Sequence, residues 1–151
     1  MAEFQSVKEI ILFAINLEKA SQEFYGQLIL QTESPSTCHF LRELAEQERI
    51  HEQKLRDILD ADDLTLGLNK VDHDQIKMYI EAMNVPAKLD YKGAVKVAMD
   101  KEKASQSLYS ILASSLDNPS YAELFNKLSG QERIHRHFFE TEYRRICISE
   151  N

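Results

Sequence analysis

Apolar and small residues return at alternating steps of three and four along the first stretch of the chain, through Val7, Ile11, Ala14, Glu18, Ser21, Tyr25 and Leu28. This spacing is the inward stripe of an amphipathic helix. The stripe returns as Val95, Ala98, Glu102, Ser105, Tyr109 and Leu112, and two others run through Leu41, Leu44, Glu48, His51, Leu55 and Ile58 and through Phe125, Leu128, Glu132, His135 and Phe139. Each predicts a long helix, and in each a Glu or a Glu and a His stand where the core should be. Ser34-Pro35-Ser36 and Asn118-Pro119-Ser120 predict the starts of the second and fourth helices, with a capping side chain followed by proline at the first helical position.

These stripes are two copies of one pattern. Glu18-Lys19-Ala20-Ser21-Gln22 is repeated as Glu102-Lys103-Ala104-Ser105-Gln106, and Glu48-Arg49-Ile50-His51 as Glu132-Arg133-Ile134-His135, every matched pair being 84 positions apart (18 to 102, 48 to 132, 51 to 135). The expectation is an all-α four-helix bundle made of two helical hairpins, at about residues 4–60 and 90–147, joined by a long crossover at about 61–89. Asp60, Asp62, Asp63, Gly67 and Pro86 break the pattern in that crossover, and Asp72 to Asn84 predicts a shorter helix. A connection of this length can run along a bundle and start the third helix at either end. Its acidic residues match no EF-hand spacing and predict a solvated turn.

At 151 residues the chain suits one domain, 1–151, with a sizeable core. Its 43% apolar and 28% charged residues, with four Gly and three Pro, fit a soluble, mainly helical protein and argue against disorder and an all-β fold. A net charge of −7 argues against nucleic acid or an anionic membrane as partner, since both select clustered Lys and Arg. The apolar stretch from Ile10 to Ile15 is short and follows Glu3 and Glu9 where a signal peptide would be basic, and no run approaches the roughly 20 residues of a membrane span. Cys38 and Cys147, with no C-x-x-C, give no disulfide framework and no rubredoxin-type or zinc-ribbon module. The cytoplasm is the expected location.

The polar interruptions of the stripes carry the chemistry. A carboxylate in an apolar core takes up a proton unless positive charge is supplied. Four Glu at one level of a bundle, Glu18, Glu48, Glu102 and Glu132, therefore call for cations, and no Lys or Arg lies on the stripes near them. A pair of divalent ions would supply the charge and hold His51 and His135 neutral and oriented. In Glu-x-x-His the two side chains lie one turn apart on one face. The simplest assignment makes Glu48 and Glu132 shared between the ions, with Glu18 and His51 on one and Glu102 and His135 on the other. Mixed carboxylate and imidazole donors suit iron or manganese, whereas structural zinc favours Cys or more His. Taken singly, Glu-x-x-His is weak evidence, because acidic helices produce it by chance; two copies, each with a lone Glu 30 residues upstream (18 to 48, 102 to 132), are not.

Tyr25 and Tyr109 lie two turns beyond Glu18 and Glu102 on the same faces, where they are either plain core aromatics or candidate catalytic residues that bond a metal ligand, cap the oxygen-binding side or carry an electron. Ser21 and Ser105 read as small spacers. His39, His73 and His137 have no counterpart 84 residues away and are expected at the surface; Cys38, in the first turn of the second helix, is expected to be an inert thiol.

With these motifs in place, the chain resembles the rubrerythrin and ferritin-like superfamily, and more narrowly a stand-alone rubrerythrin-type di-iron domain. The resemblance covers both hairpins. It implies a ferritin-like bundle with two iron ions on Glu18, Glu48, His51, Glu102, Glu132 and His135, open to manganese or zinc substitution. It implies a peroxidase or oxidase acting on hydrogen peroxide or dioxygen, in a cytoplasmic homodimer. A ferroxidase that handles iron is the alternative activity. Some features depart from the family pattern. Ser105 stands where rubrerythrins proper carry an extra Glu, and the second helix lacks the haem-binding Met of bacterioferritins; no electron-feeding rubredoxin module and no fifth helix of cage-forming ferritins are expected, so that a separate donor such as a rubredoxin-like protein is expected.

Overall fold

Four helices carry the fold in the computed structural model, which describes residues 6–61 and 89–150. They are α1 (Val7–Gln31), α2 (Pro35–Ala61), α3 (Tyr91–Ser115) and α4 (Pro119–Ser149), and there is no strand among the described residues. The starts of α2 and α4 are those the sequence marks. Ser34 Oγ accepts the Thr37 N–H at 3.3 Å, Asn118 Oδ1 accepts the Ser120 N–H at 2.9 Å, and a proline opens each helix. Ser6 and Asp90 do the same for α1 and α3, accepting the N–H of Glu9 at 3.2 Å and of Gly93 at 2.8 Å. Each cap satisfies a backbone donor that a helix start leaves without an internal partner.

Helix α1 packs along α2 and α3 along α4, and the two hairpins meet chiefly through α1 and α3. Every position of the four stripes is buried. The apolar part of this core is divided in two. One cluster gathers Ile11, Leu17, Leu55, Ile58, Tyr109, Leu112, Phe125 and Leu128, among others, and the second gathers Phe24, Tyr25, Leu28, Leu41, Leu44, Val95, Ala98 and Phe139. Each fully buried Leu, Ile or Phe contributes about 1.5–3 kcal/mol, and two such clusters offset the cost of the polar layer between them. Helix α2 ends in the first cluster and α3 begins in the second, so the two helices lie with their joined ends at opposite ends of the bundle. The short helix expected over Asp72 to Asn84 lies outside the described residues.

At the second end Tyr91, in the first turn of α3, donates its hydroxyl to Glu142 of α4 at 2.9 Å, and Arg145 holds the same carboxylate at 2.6 Å. The Arg145 guanidinium keeps the Glu142 carboxyl below its ordinary range, while burial beside that carboxylate pushes the Tyr91 hydroxyl up to about 12. Across the gap between α2 and α4, Phe40 and Phe138 stack with centroids 4.6 Å apart. No helix among the described residues is long and apolar enough to cross a membrane.

Candidate metal centre

Between the two apolar clusters lie six side chains, each 1% exposed: Glu18 from α1, Glu48 and His51 from α2, Glu102 from α3, and Glu132 and His135 from α4. The repeat places them there. Each interrupts, singly or as a Glu and His pair, a stripe that is otherwise apolar or small, so burying the stripe carries the polar group inward. All six residues expected from the sequence come together.

They form two overlapping groups. Glu18, Glu48, His51 and Glu132 make one, Glu48, Glu102, Glu132 and His135 the other, and the ligand atoms of each lie within 4.8 Å of one another. Glu48 and Glu132 belong to both, as the sharing assignment requires. The two imidazoles face each other nearly parallel, with centroids 6.1 Å apart. His51 Nδ1 is 2.7 Å from Glu132 Oε1, 3.5 Å from Glu48 Oε2 and 3.6 Å from Glu18 Oε1. His135 Nδ1 repeats this at 2.7 Å from Glu48 Oε1, 3.5 Å from Glu132 Oε2 and 3.6 Å from Glu102 Oε2. In both rings Nδ1 is the nitrogen that faces the carboxylates.

Packed this closely, the carboxyls and imidazoles move one another's pKa values. Burial, reinforced by Glu48 and Glu132, holds the Glu18 carboxyl well above its ordinary range, and burial with Glu132 does the same to Glu102. Burial alone would lower the imidazoles, but the three carboxylates around each ring outweigh it. His135 is pushed up to about 12 by Glu102, Glu132 and Glu48, and His51 is raised by Glu132, Glu18 and Glu48. Glu132, despite burial, is held well below the ordinary range by the neighbouring Glu102 and the two His.

Several oxygens remain unsatisfied. Glu18 Oε2, Glu102 Oε1 and Oε2 and Glu132 Oε2 are buried with no hydrogen-bond partner among the described residues. Ionised, these groups have oxygens that only accept, and four of them without a partner in one buried layer match the needs of cations. The donor set and these orphaned oxygens fit a di-iron site.

The tyrosines divide between the two halves. Tyr109 donates its hydroxyl to Glu18 Oε1 from the opposite hairpin, and burial beside that carboxylate raises its pKa well above the ordinary value. Tyr25, equally buried, packs on Phe139 with centroids 5.3 Å apart, and its hydroxyl has no partner among the described residues. Ser21 and Ser105 are buried. His39 is exposed and pairs with Glu43 at 3.1 Å, and His137 is exposed; His73 lies outside the described residues.

Two kinds of residue at the site lie off the four stripes. Gln47 and Gln131 reach the outer edges of the imidazoles, Gln47 Oε1 at 2.6 Å from His135 Nε2 and Gln131 Oε1 at 2.5 Å from His51 Nε2. The signal was available, since Gln47-Glu48 and Gln131-Glu132 are also 84 positions apart. Lys101, beside Glu102, is 2% exposed, and burial lowers the pKa of its amine; its counterpart 84 positions earlier is the buried Leu17. A further exchange lies beside the His residues. Glu52 accepts from Gln22 at 2.9 Å and from Arg56 at 2.8 Å, while the matching positions carry an ion pair of reversed order, Arg136 with Glu140 at 3.1 Å.

A family model described as Rubrerythrin matches residues 9–143. No curated protein and no solved structure shows a significant match to the chain. The family match runs from the first turn of α1 into the last third of α4 and takes in all six buried ligand-type residues, so the chain belongs to the rubrerythrin family.

Proposed function

We propose that this protein is a non-haem di-iron oxidoreductase that reduces hydrogen peroxide or dioxygen with electrons from a separate donor such as a rubredoxin-like protein. One observation carries the reading: two ligand groups, overlapping in Glu48 and Glu132, lie in a layer sealed by apolar clusters on both sides. Glu18 and His51 complete one ion's set, Glu102 and His135 the other's. When bound there, two irons supply the paired one-electron steps that reduction of a peroxide bond requires. Two electrons and two protons turn one hydrogen peroxide into two waters, and the donor returns the electrons.

The chain's own part is orientation and exclusion of water. The shared glutamates keep both halves in register, Nδ1 of each imidazole faces inward, and Tyr109 holds Glu18 by one oxygen and leaves Oε2 free to bind. The absence of bulk water strengthens every charge interaction in the layer.

The test is metal content after Fe(II) reconstitution, followed by anaerobic mixing with hydrogen peroxide or dioxygen while the ferric absorption is monitored. Two irons per chain that oxidise faster with peroxide support the peroxidase. Preferential oxidation by dioxygen, with iron accumulating beyond two per chain, supports ferroxidase activity in iron handling instead. A protein that takes up no iron rules out both.

A further inference from the structure

Each imidazole of the cluster is held at both nitrogens by two consecutive residues of the opposite hairpin. Glu48 Oε1 lies 2.7 Å from His135 Nδ1, and Gln47 Oε1, from the preceding residue of α2, lies 2.6 Å from His135 Nε2. The second hairpin returns the arrangement, with Glu132 Oε1 at 2.7 Å from His51 Nδ1 and Gln131 Oε1 at 2.5 Å from His51 Nε2. The rings are 1% exposed, whereas Gln47 is exposed and Gln131 half-buried, so the amides roof the rings from the solvent side.

We infer that Gln47 and Gln131 are positioning residues that set the tautomer and angle of the imidazole across the bundle, so that each hairpin controls the affinity of the ion completed by the other hairpin's histidine. This rests on the two-metal reading of the site. An amide oxygen is an acceptor without a proton, so it can receive only an N–H from Nε2. With the proton fixed on Nε2, the lone pair of a neutral imidazole is left on Nδ1, the nitrogen facing the carboxylates. An imidazole turned by half a rotation, or protonated on Nδ1, would present no donor there. The backbone of α2 thus delivers a shared carboxylate to one face of His135 and its orienting acceptor to the opposite edge, with no intervening residue, and α4 does the same for His51.

Zinc serves as a diamagnetic probe. Its affinity is measured by chelator competition on wild type, Q47L, Q131L and Q47E, and the proton on each ring nitrogen is read from long-range correlations in protein labelled with nitrogen-15 histidine. Removing such an outer partner typically costs 10–100-fold in metal affinity. Q47L is expected to weaken one of two zinc ions by about that factor and to disturb the Nε2–H of His135 while leaving His51 unchanged. Q131L is expected to do the reverse, and Q47E, which keeps an acceptor, to restore the wild-type tautomer in a folded chain whatever Q47L does to stability. If wild type binds two zinc ions and both leucine variants bind them with wild-type affinity, or if Q47L disturbs His51 instead, the positioning role is overturned while the metal site stands. If wild type binds no zinc, the metal reading fails and this inference with it.

Discussion

Tyr109 on α3 donates its hydroxyl to Glu18 on α1, tying the two hairpins together at the edge of the polar layer. The matching hydroxyl, Tyr25, finds no partner among the described residues. Removing the two hydroxyls should therefore have unequal effects. Tyr109→Phe should destabilise the metal-free protein by about 1–3 kcal/mol, because it leaves a buried carboxyl oxygen without its donor. Tyr25→Phe should cost well under half as much or be neutral. Denaturant unfolding of both variants checks this, and equal losses would contradict the asymmetry.

Glu48 and Glu132 belong to both ligand groups, and this has a stoichiometric consequence. Glu48→Ala or Glu132→Ala should abolish binding of both ions, whereas Glu18→Ala or Glu102→Ala should leave one ion bound. Metal analysis of the four variants after anaerobic reconstitution separates the cases. Retention of two ions in Glu48→Ala would contradict the shared role.

Protons and metal should impose opposite pH dependence on stability. Glu18 and Glu102, raised from an ordinary 4.5, hold more protons in the folded than in the unfolded state, so their contribution is present below pH 4.5 and is lost as pH rises through their folded pKa. The same sign holds for the imidazoles, raised from 6.5, with His135 at about 12, which places their loss above pH 6.5. Glu132, held low, has the opposite sign, but its contribution changes only below 4.5. The metal-free protein should thus melt at lower temperature as pH rises from about 5 to about 9. The metal-loaded protein should gain stability with pH over the lower part of that range, because binding requires the groups to give up their protons. Thermal melts of both forms across the range test the two signs.

Phe125 is fully buried against Tyr109, with ring centroids 5.9 Å apart, in the apolar cluster beside the site. Phe125→Ala should cost about 3–5 kcal/mol through lost burial and the cavity it leaves. Urea unfolding measures the cost, and a loss below about 1 kcal/mol would mean that the cluster closes over the gap without penalty.

Much of this could be read from the chain because burial of a stripe is a strong demand. Once Leu41, Leu44, Leu55 and Ile58 must face inward, helical geometry leaves Glu48 and His51 no other direction. The capping signals at Ser34 and Asn118 were legible for a similar reason, since each follows from one backbone donor that needs an acceptor. What escaped depends on contacts between distant segments. Glutamine on the outer side of a stripe reads as a solvated residue, and only the approach of α2 to α4 turns Gln47 and Gln131 into partners of the histidines. The Phe40–Phe138 stack is hidden likewise, because the two phenylalanines are not equivalent in the repeat. Lys101 sits one step off the α3 stripe, where periodicity alone puts a charge in water, yet the packed bundle buries it.

The duplication is faithful in its ligands and unfaithful in its surroundings. Lys101 answers Leu17, Arg136 answers Glu52, Glu140 answers Arg56, and one tyrosine hydroxyl of two is engaged. The two halves of the centre are therefore chemically the same and electrically distinguishable. Rotating the bundle by half a turn would exchange identical donor atoms while setting different side chains beside them, so the chain carries a built-in polarity by which one half of an otherwise twofold centre differs from the other.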